Sequence, residues 1–170
     1  MLLKSIRFAV LVALLCLPAV AATKDPVPSD LMIFLERRNC EDGCPVYRVL
    51  IFANGDVIWH GYSRVARMGL VKSRITPEQV KSLIDNFMAI DYFQLGNFND
   101  YYGPGCQSNM VGFQIVITSL SMGGQSKMVV HEQRCEGELF EKLKSLEDKI
   151  DGVVDTERWI AGKTPGVPRK

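Results

Sequence analysis

Asn54-Gly55-Asp56 lies between two runs rich in Val, Ile, Leu and aromatic residues, Val46–Phe52 and Val57–Tyr62. An Asn-Gly pair supplies the positive φ values that a tight hairpin demands, so these runs are expected to pair as antiparallel strands. In the first of them Tyr47, Val49 and Ile51 point one way and Arg48 and Leu50 the other, the alternation of a strand with one buried face. Leu31–Arg38 reads as a preceding strand, separated by the turn cluster Asn39–Cys44, and the more polar Ala66–Ile75 reads as an edge strand.

The period then changes. Thr76-Pro77-Glu78-Gln79 combines a capping hydroxyl, a proline suited to the first helical position and a Gln able to close a capping box. Val80, Leu83, Ile84 and Phe87 follow at helical spacing. Asp91–Val111 has no clear period and reads as a long loop. Phe113, Ile115 and Ile117 alternate with polar positions, Gly123-Gly124 offers a turn, and Lys127–Glu132 a return strand. Leu139, Leu143, Leu146, Ile150 and Val153 form one stripe of a last helix whose other faces carry Glu141, Lys142, Lys144, Glu147 and Lys149. The expected fold is α+β: an antiparallel sheet of about six strands with two helices on one face, in the order ββββαββα.

Two segments are expected to lie outside that domain. Met1–Ala22 carries Lys4 and Arg7, then the apolar run Phe8–Leu17, then Pro18 and small residues at Ala19, Ala21 and Ala22, the pattern of a secretory signal cleaved after Ala21 or Ala22. Its apolar run is shorter than the roughly 20 residues of a spanning helix, so no membrane span is expected after cleavage. Residues 23–30 read as a flexible lead, 31–160 as a single domain and 161–170 as a flexible tail. The expected location is the periplasm or the exterior.

Removing the leader takes Cys16, Lys4 and Arg7 with it, leaving eighteen cations against nineteen acids and four of the five cysteines. That charge balance gives no grip on phosphate backbones, so nucleic acid is not an expected partner. An even cysteine count in an exported chain points to disulfides among Cys40, Cys44, Cys106 and Cys135, with three possible pairings. Cys106 precedes one strand of the Gly123-Gly124 hairpin and Cys135 follows the other, which favours Cys106 with Cys135 and leaves Cys40 with Cys44. A bond closing about 30 residues is worth roughly 3 to 4 kcal/mol in the chain-entropy model.

The cluster Cys40-Glu-Asp-Gly43-Cys44-Pro45-Val-Tyr47 and the terminal Asp155-Thr156-Glu157-Arg158-Trp159-Ile160 resemble a family of exported bacterial proteins known as domain of unknown function 6438. The resemblance spans about Leu31 to Ile160. It implies a bacterial envelope location and the α+β arrangement above, and it carries no activity. Many relatives have an Asp shortly after the later cysteine, where this chain has Gln107-Ser108-Asn109-Met110.

No phosphate loop or nucleophile-base motif occurs, and two histidines leave little catalytic machinery. The expected function is that of a small, non-catalytic binding or interaction module, with an envelope protein or small ligand as partner, no cofactor and no metal. The alternative is thiol–disulfide or metal handling by Cys40 and Cys44. Three intervening residues and a following strand differ from redox pairs at helix N-termini, and Glu41 and Asp42 would raise the thiol pKa. Zinc or copper would need His60 and His131 as well, but each sits singly on a strand and reads as half-exposed. Trp59 and Trp159 read as packing residues. A possible binding loop contains Asn97, Phe98, Asp100, Tyr101 and Tyr102, although Phe98 and one tyrosine serve as readily to plug the sheet edge.

Overall fold

The computed structural model describes residues 27–95 and 112–162. Strands β1 (Met32–Arg37), β2 (Val46–Phe52), β3 (Asp56–Ser63) and β4 (Gly69–Arg74) precede helix α1 (Pro77–Ala89). Strands β5 (Ile115–Met122) and β6 (Gln125–Glu132), helix α2 (Glu138–Val154) and the single turn α3 (Glu157–Ile160) follow. The six strands form one antiparallel sheet in the order β4-β3-β2-β1-β5-β6, with α1 and α2 in contact with each other on one face. The expected α+β order is therefore observed, with α3 added.

Local chemistry accounts for the turns. Ala53-Asn54-Gly55 joins β2 to β3, and of the Asn-Gly pair expected to supply positive φ values only Gly55 has one. The Asn54 amide and Asp56 carboxylate bond to each other at 2.8 Å, and a Cβ on Gly55 would fall 2.3 Å from the Ile75 carbonyl oxygen. Glycine is needed because this turn tucks under the end of β4. Gly123-Gly124 makes the two-residue turn, both residues at positive φ, and donates both N–H groups to the Asp30 carboxylate at 3.0 and 2.8 Å. Those two bonds hold the Asp30 carboxyl below the ordinary carboxylate range.

Helix α1 begins as expected: Thr76 Oγ1 accepts from the Gln79 amide at 3.2 Å, and Gln79 Oε1 accepts from the Thr76 amide at 2.8 Å. Val80, Leu83 and Phe87 are buried by it. In α2 the stripe differs from the expected one. Phe140, Leu143, Leu146, Glu147, Ile150 and Val154 face inward, while Leu139 and Val153 pack only at its margin. The polar edge strand is shorter than expected at its start, because Ala66 and Arg67 donate their amides to the Ile160 and Trp159 carbonyls instead of to a neighbouring strand.

The inner face of the sheet presents Ile33 and Leu35, Tyr47, Val49 and Ile51, Val57 and Trp59, and Val116 and Leu120 to the helices. Trp59, fully buried, stacks on Tyr47 with centroids 4.4 Å apart and lies 5.1 Å from Trp159, so the two tryptophans are packing residues as expected. The Trp59 indole N–H donates to the Arg67 carbonyl at 3.3 Å in the β3–β4 connection, and Arg158 donates to Ser73 Oγ at 2.8 Å, which fastens α3 to β4. Trp59→Ala is expected to cost about 3–5 kcal/mol, whereas exposed Leu70→Ala should stay within about 0.5 kcal/mol, both measured by urea unfolding.

Candidate functional site

Cys40 and Cys44 form a disulfide with Cα atoms 5.4 Å apart, closing the turn between β1 and β2. Cys40 is buried, its sulfur accepts the Cys44 amide at 2.9 Å, and Glu41 donates its amide to the Gly112 carbonyl at 2.8 Å. The turn is also covered by a cation that the sequence reading did not include: the Arg64 guanidinium occupies the place a Cβ on Gly43 would take. Arg64 itself holds a positive φ of 53°, unusual for a residue with a side chain. Cys135 is buried and disulfide-bonded. Cys106 and the proposed binding loop, Asn97, Phe98, Asp100, Tyr101 and Tyr102, lie outside the described residues.

The two histidines sit on opposite faces of the sheet, so they do not converge on the Cys40–Cys44 turn. His60 lies on the face without helices, half-buried, its ring stacked 4.1 Å from Tyr62. His131 does not match the half-exposed residue expected from sequence. It is on the inner face of β6, 4% exposed, because a charged residue on α2 turns inward to meet it. Glu147, expected on the polar side of that helix, is fully buried with Oε1 2.5 Å from His131 Nε2. Its other oxygen accepts from the Gln133 amide at 3.1 Å. His131 Nδ1 faces the Glu132 carbonyl oxygen at 3.0 Å, so Nδ1 carries hydrogen and neither ring nitrogen is left over for a ligand. Among the described residues no group of three or more His, Cys, Asp and Glu side chains is arranged to hold a metal ion.

Beside this pair lies a second acid–base cluster. Arg37 ends the inward series Ile33, Leu35, Arg37 of β1, and its Nε and Nη2 donate to Asp151 Oδ2 at 2.9 and 2.8 Å. Asp148 takes another Nη2 hydrogen at 3.2 Å, and Glu147 Oε2 lies 3.9 Å from Nη1. Asp151 Oδ1 accepts from the Tyr47 hydroxyl at 2.8 Å and from Thr156 Oγ1 at 2.9 Å. One carboxylate thus gathers β1, β2 and the start of α3 onto α2. Burial raises the Asp151 carboxyl above its ordinary range despite Arg37, Tyr47 and Thr156, which pull the other way. Burial, with the negative Asp151 next to it, also pushes the Tyr47 phenol well up, and burial does the same to Tyr92, whose hydroxyl bonds Thr118 Oγ1 at 2.8 Å. The buried members, Arg37, Tyr47, Glu147 and Asp151, are bonded to one another or to His131, Gln133 and Thr156, a geometry that fixes helix to sheet, while exposed Asp148 stands at the rim. The nearest hollow, an open groove of about 450 Å3 between α1 and α2, reaches only Asp148 of the set.

The opposite sheet face is different. Phe34, Leu50 and Ile58 are half-buried in one row across β1, β2 and β3, with Leu70 and Met128 exposed near its two ends. Glu36 joins Arg38 and Arg48, each at 2.9 Å, and Arg48 lies over the Tyr62 ring. No helix covers this surface among the described residues.

The chain is thus a two-layer α+β domain, with a disulfide at the β1–β2 turn and a buried acid–base cluster between its layers. Residues 31–154 match the family model described as domain of unknown function DUF6438, and the chain belongs to that family. A search of curated proteins found no match.

Two outcomes follow from the cluster. Arg37→Met removes the cation from buried acids and is expected to cost about 3–5 kcal/mol in urea unfolding. The phenol shifts set the alkaline limb. Above about pH 10 the unfolded tyrosines ionise while the folded ones resist, so stability falls as pH rises. Tyr47→Phe should make that decline shallower by up to about 1.4 kcal/mol per pH unit, read from unfolding curves at successive pH values.

Proposed function

We propose that this chain is an exported, disulfide-braced domain that binds a partner through its sheet surface and carries out no chemistry of its own. The observation that carries this reading is the division between the two faces. On one, the buried ionisable groups are consumed in holding α2 down. On the other, apolar and aromatic side chains stand on strands with no covering layer among the described residues, as binding surfaces do. Export is supported by the signal-like Met1–Ala22 and by the bonded state of Cys40, Cys44 and Cys135, since such bonds persist in oxidising compartments. Cys106 is the proposed partner of Cys135. No helix among the described residues is long and apolar enough to cross a membrane.

A second reading, thiol–disulfide exchange at Cys40 and Cys44, is favoured by Arg64 over the turn and by the amide donated to Cys40 Sγ, since both would stabilise a thiolate. One experiment separates the two. The purified mature protein, beginning at Ala22 or Thr23, should show no free thiol. Replacing Cys40 and Cys44 together by Ala should cost about 2 kcal/mol, the worth of so short a loop, and leave partner binding intact. Rapid exchange of that bond with glutathione, together with loss of function in the double variant, would establish the redox reading instead.

A further inference from the structure

We infer that the free edge of β4 captures an extended segment of a partner protein, acidic on one face and apolar on the other, adding it to the sheet as a seventh strand. This rests on the binding-module reading and names the partner's chemistry. Strand β4 ends the sheet, and its register with β3 runs without a bulge from Asp56 opposite Arg74 to Gly61 opposite Gly69. Among the described residues nothing bonds to its outer backbone edge, and the strand contains no proline. Open edges are ordinarily short, bulged, covered or charged, because unpaired N–H and C=O groups template another strand; β4 is guarded by charge, through Lys72 and Arg74, which repels basic segments and admits acidic ones. The other edge strand, β6, has the short turn Tyr92–Gln94 packed against it.

Side chains specify what would fit. From Val57 to Pro77 the chain carries Arg64, Arg67, Lys72 and Arg74 and not one acid. Asp56 pairs with Arg74 at 2.6 Å, while Arg64, Arg67 and Lys72 form no ion pair among the described residues. On the face without helices β4 presents Leu70, 68% exposed, then Lys72 and Arg74; on the other it presents half-buried Val71 and Ser73 at the rim of the core. A hollow of about 190 Å3 between Phe52, Asp56, Ile58 and Lys72 lies beside this row. An added strand therefore meets cations and one leucine on one face and, on the other, Val71 beside the Ser73 hydroxyl that Arg158 already holds. Alternation of carboxylates with aliphatic residues satisfies both, and backbone bonds supply the rest of the affinity. A second copy of the chain is a poorer occupant: antiparallel pairing of two β4 strands centred on Lys72 places lysine against lysine.

The test uses the mature chain and labelled peptides of alternating Val and Glu, or Val and Lys, followed by fluorescence anisotropy. The Val-Glu peptide should bind at least about tenfold more tightly, more so at low salt, and should protect β4 amides from hydrogen exchange. Lys72→Glu, an exposed change away from the core, should reverse the preference, and Leu70→Asp should weaken binding of the Val-Glu peptide. No binding, equal binding of both peptides, indifference to Lys72→Glu, or protection confined to β6 would overturn the inference. So would attachment to vesicles of anionic lipid without peptide binding, or a dimer held through β4. Partners crosslinked to the sheet face but indifferent to Lys72→Glu would sink the edge and leave the binding-module reading standing. Fast glutathione exchange at Cys40–Cys44 would instead sink that reading, and the peptide result would then stand alone.

Discussion

The carboxylate of Asp151 is the point on which the two layers are joined. It takes two bonds from Arg37, one from Tyr47 and one from Thr156, and so links the first two strands and the chain after α2 to the helix itself. Such a group is costly to bury, and the cost is offset only when its partners are complete. Completeness depends on register. Arg37 lies opposite Tyr47 across β1 and β2, and a slip of one strand by one residue would turn its member of the pair to the wrong face. The cluster therefore selects one pairing of the central strands, in addition to whatever free energy it contributes. Its neighbour, the His131–Glu147–Gln133 set, does the same for the last hairpin, because it anchors β6 to the same helix two turns from its start.

Much of the architecture was legible because local chemistry and tertiary packing agree. The capping box at Thr76, the alternation in β2 and the paired glycines at 123 and 124 each have one low-energy solution, and each is found. The misreadings occur where charge and position conflict. Glu147 is four residues after Leu143 and so falls on the buried stripe, yet its charge assigns it to the polar side until a partner is known. Arg37 continues the inward alternation of Ile33 and Leu35, so the alternation itself places it inside. Reading the two together, a cation and acids at apolar positions of facing elements, is the signal that would have revealed the cluster. At the Asn54-Gly55 turn only the glycine takes positive φ, and the end of β4 lies against it, a contact with distant sequence that no dipeptide encodes.

The candidate site was legible to a smaller extent. The expected second hairpin paired Cys106 with Cys135 and so left Cys40 with Cys44, and that last disulfide is present. The acids beside those cysteines suggested an electronegative turn, whereas the fold brings Arg64 across from the end of β3 to lie on Gly43. A residue twenty positions away, held at an uncommon backbone angle, thus adds a cation to a turn whose own sequence carries two acids. Linear neighbours are a poor guide to the field around a sulfur atom when a hairpin folds back over it.

The bonds from Gly123 and Gly124 to Asp30 also orient the domain. They clasp the start of the folded chain to the tip of the β5–β6 hairpin, at the pole where β1 begins and β2 ends. The Cys40–Cys44 turn, Arg37 and Tyr47 lie at the opposite pole. A support joined at Val27 would therefore hold the described domain by one end like a handle, with the sulfur-bridged turn at the far one.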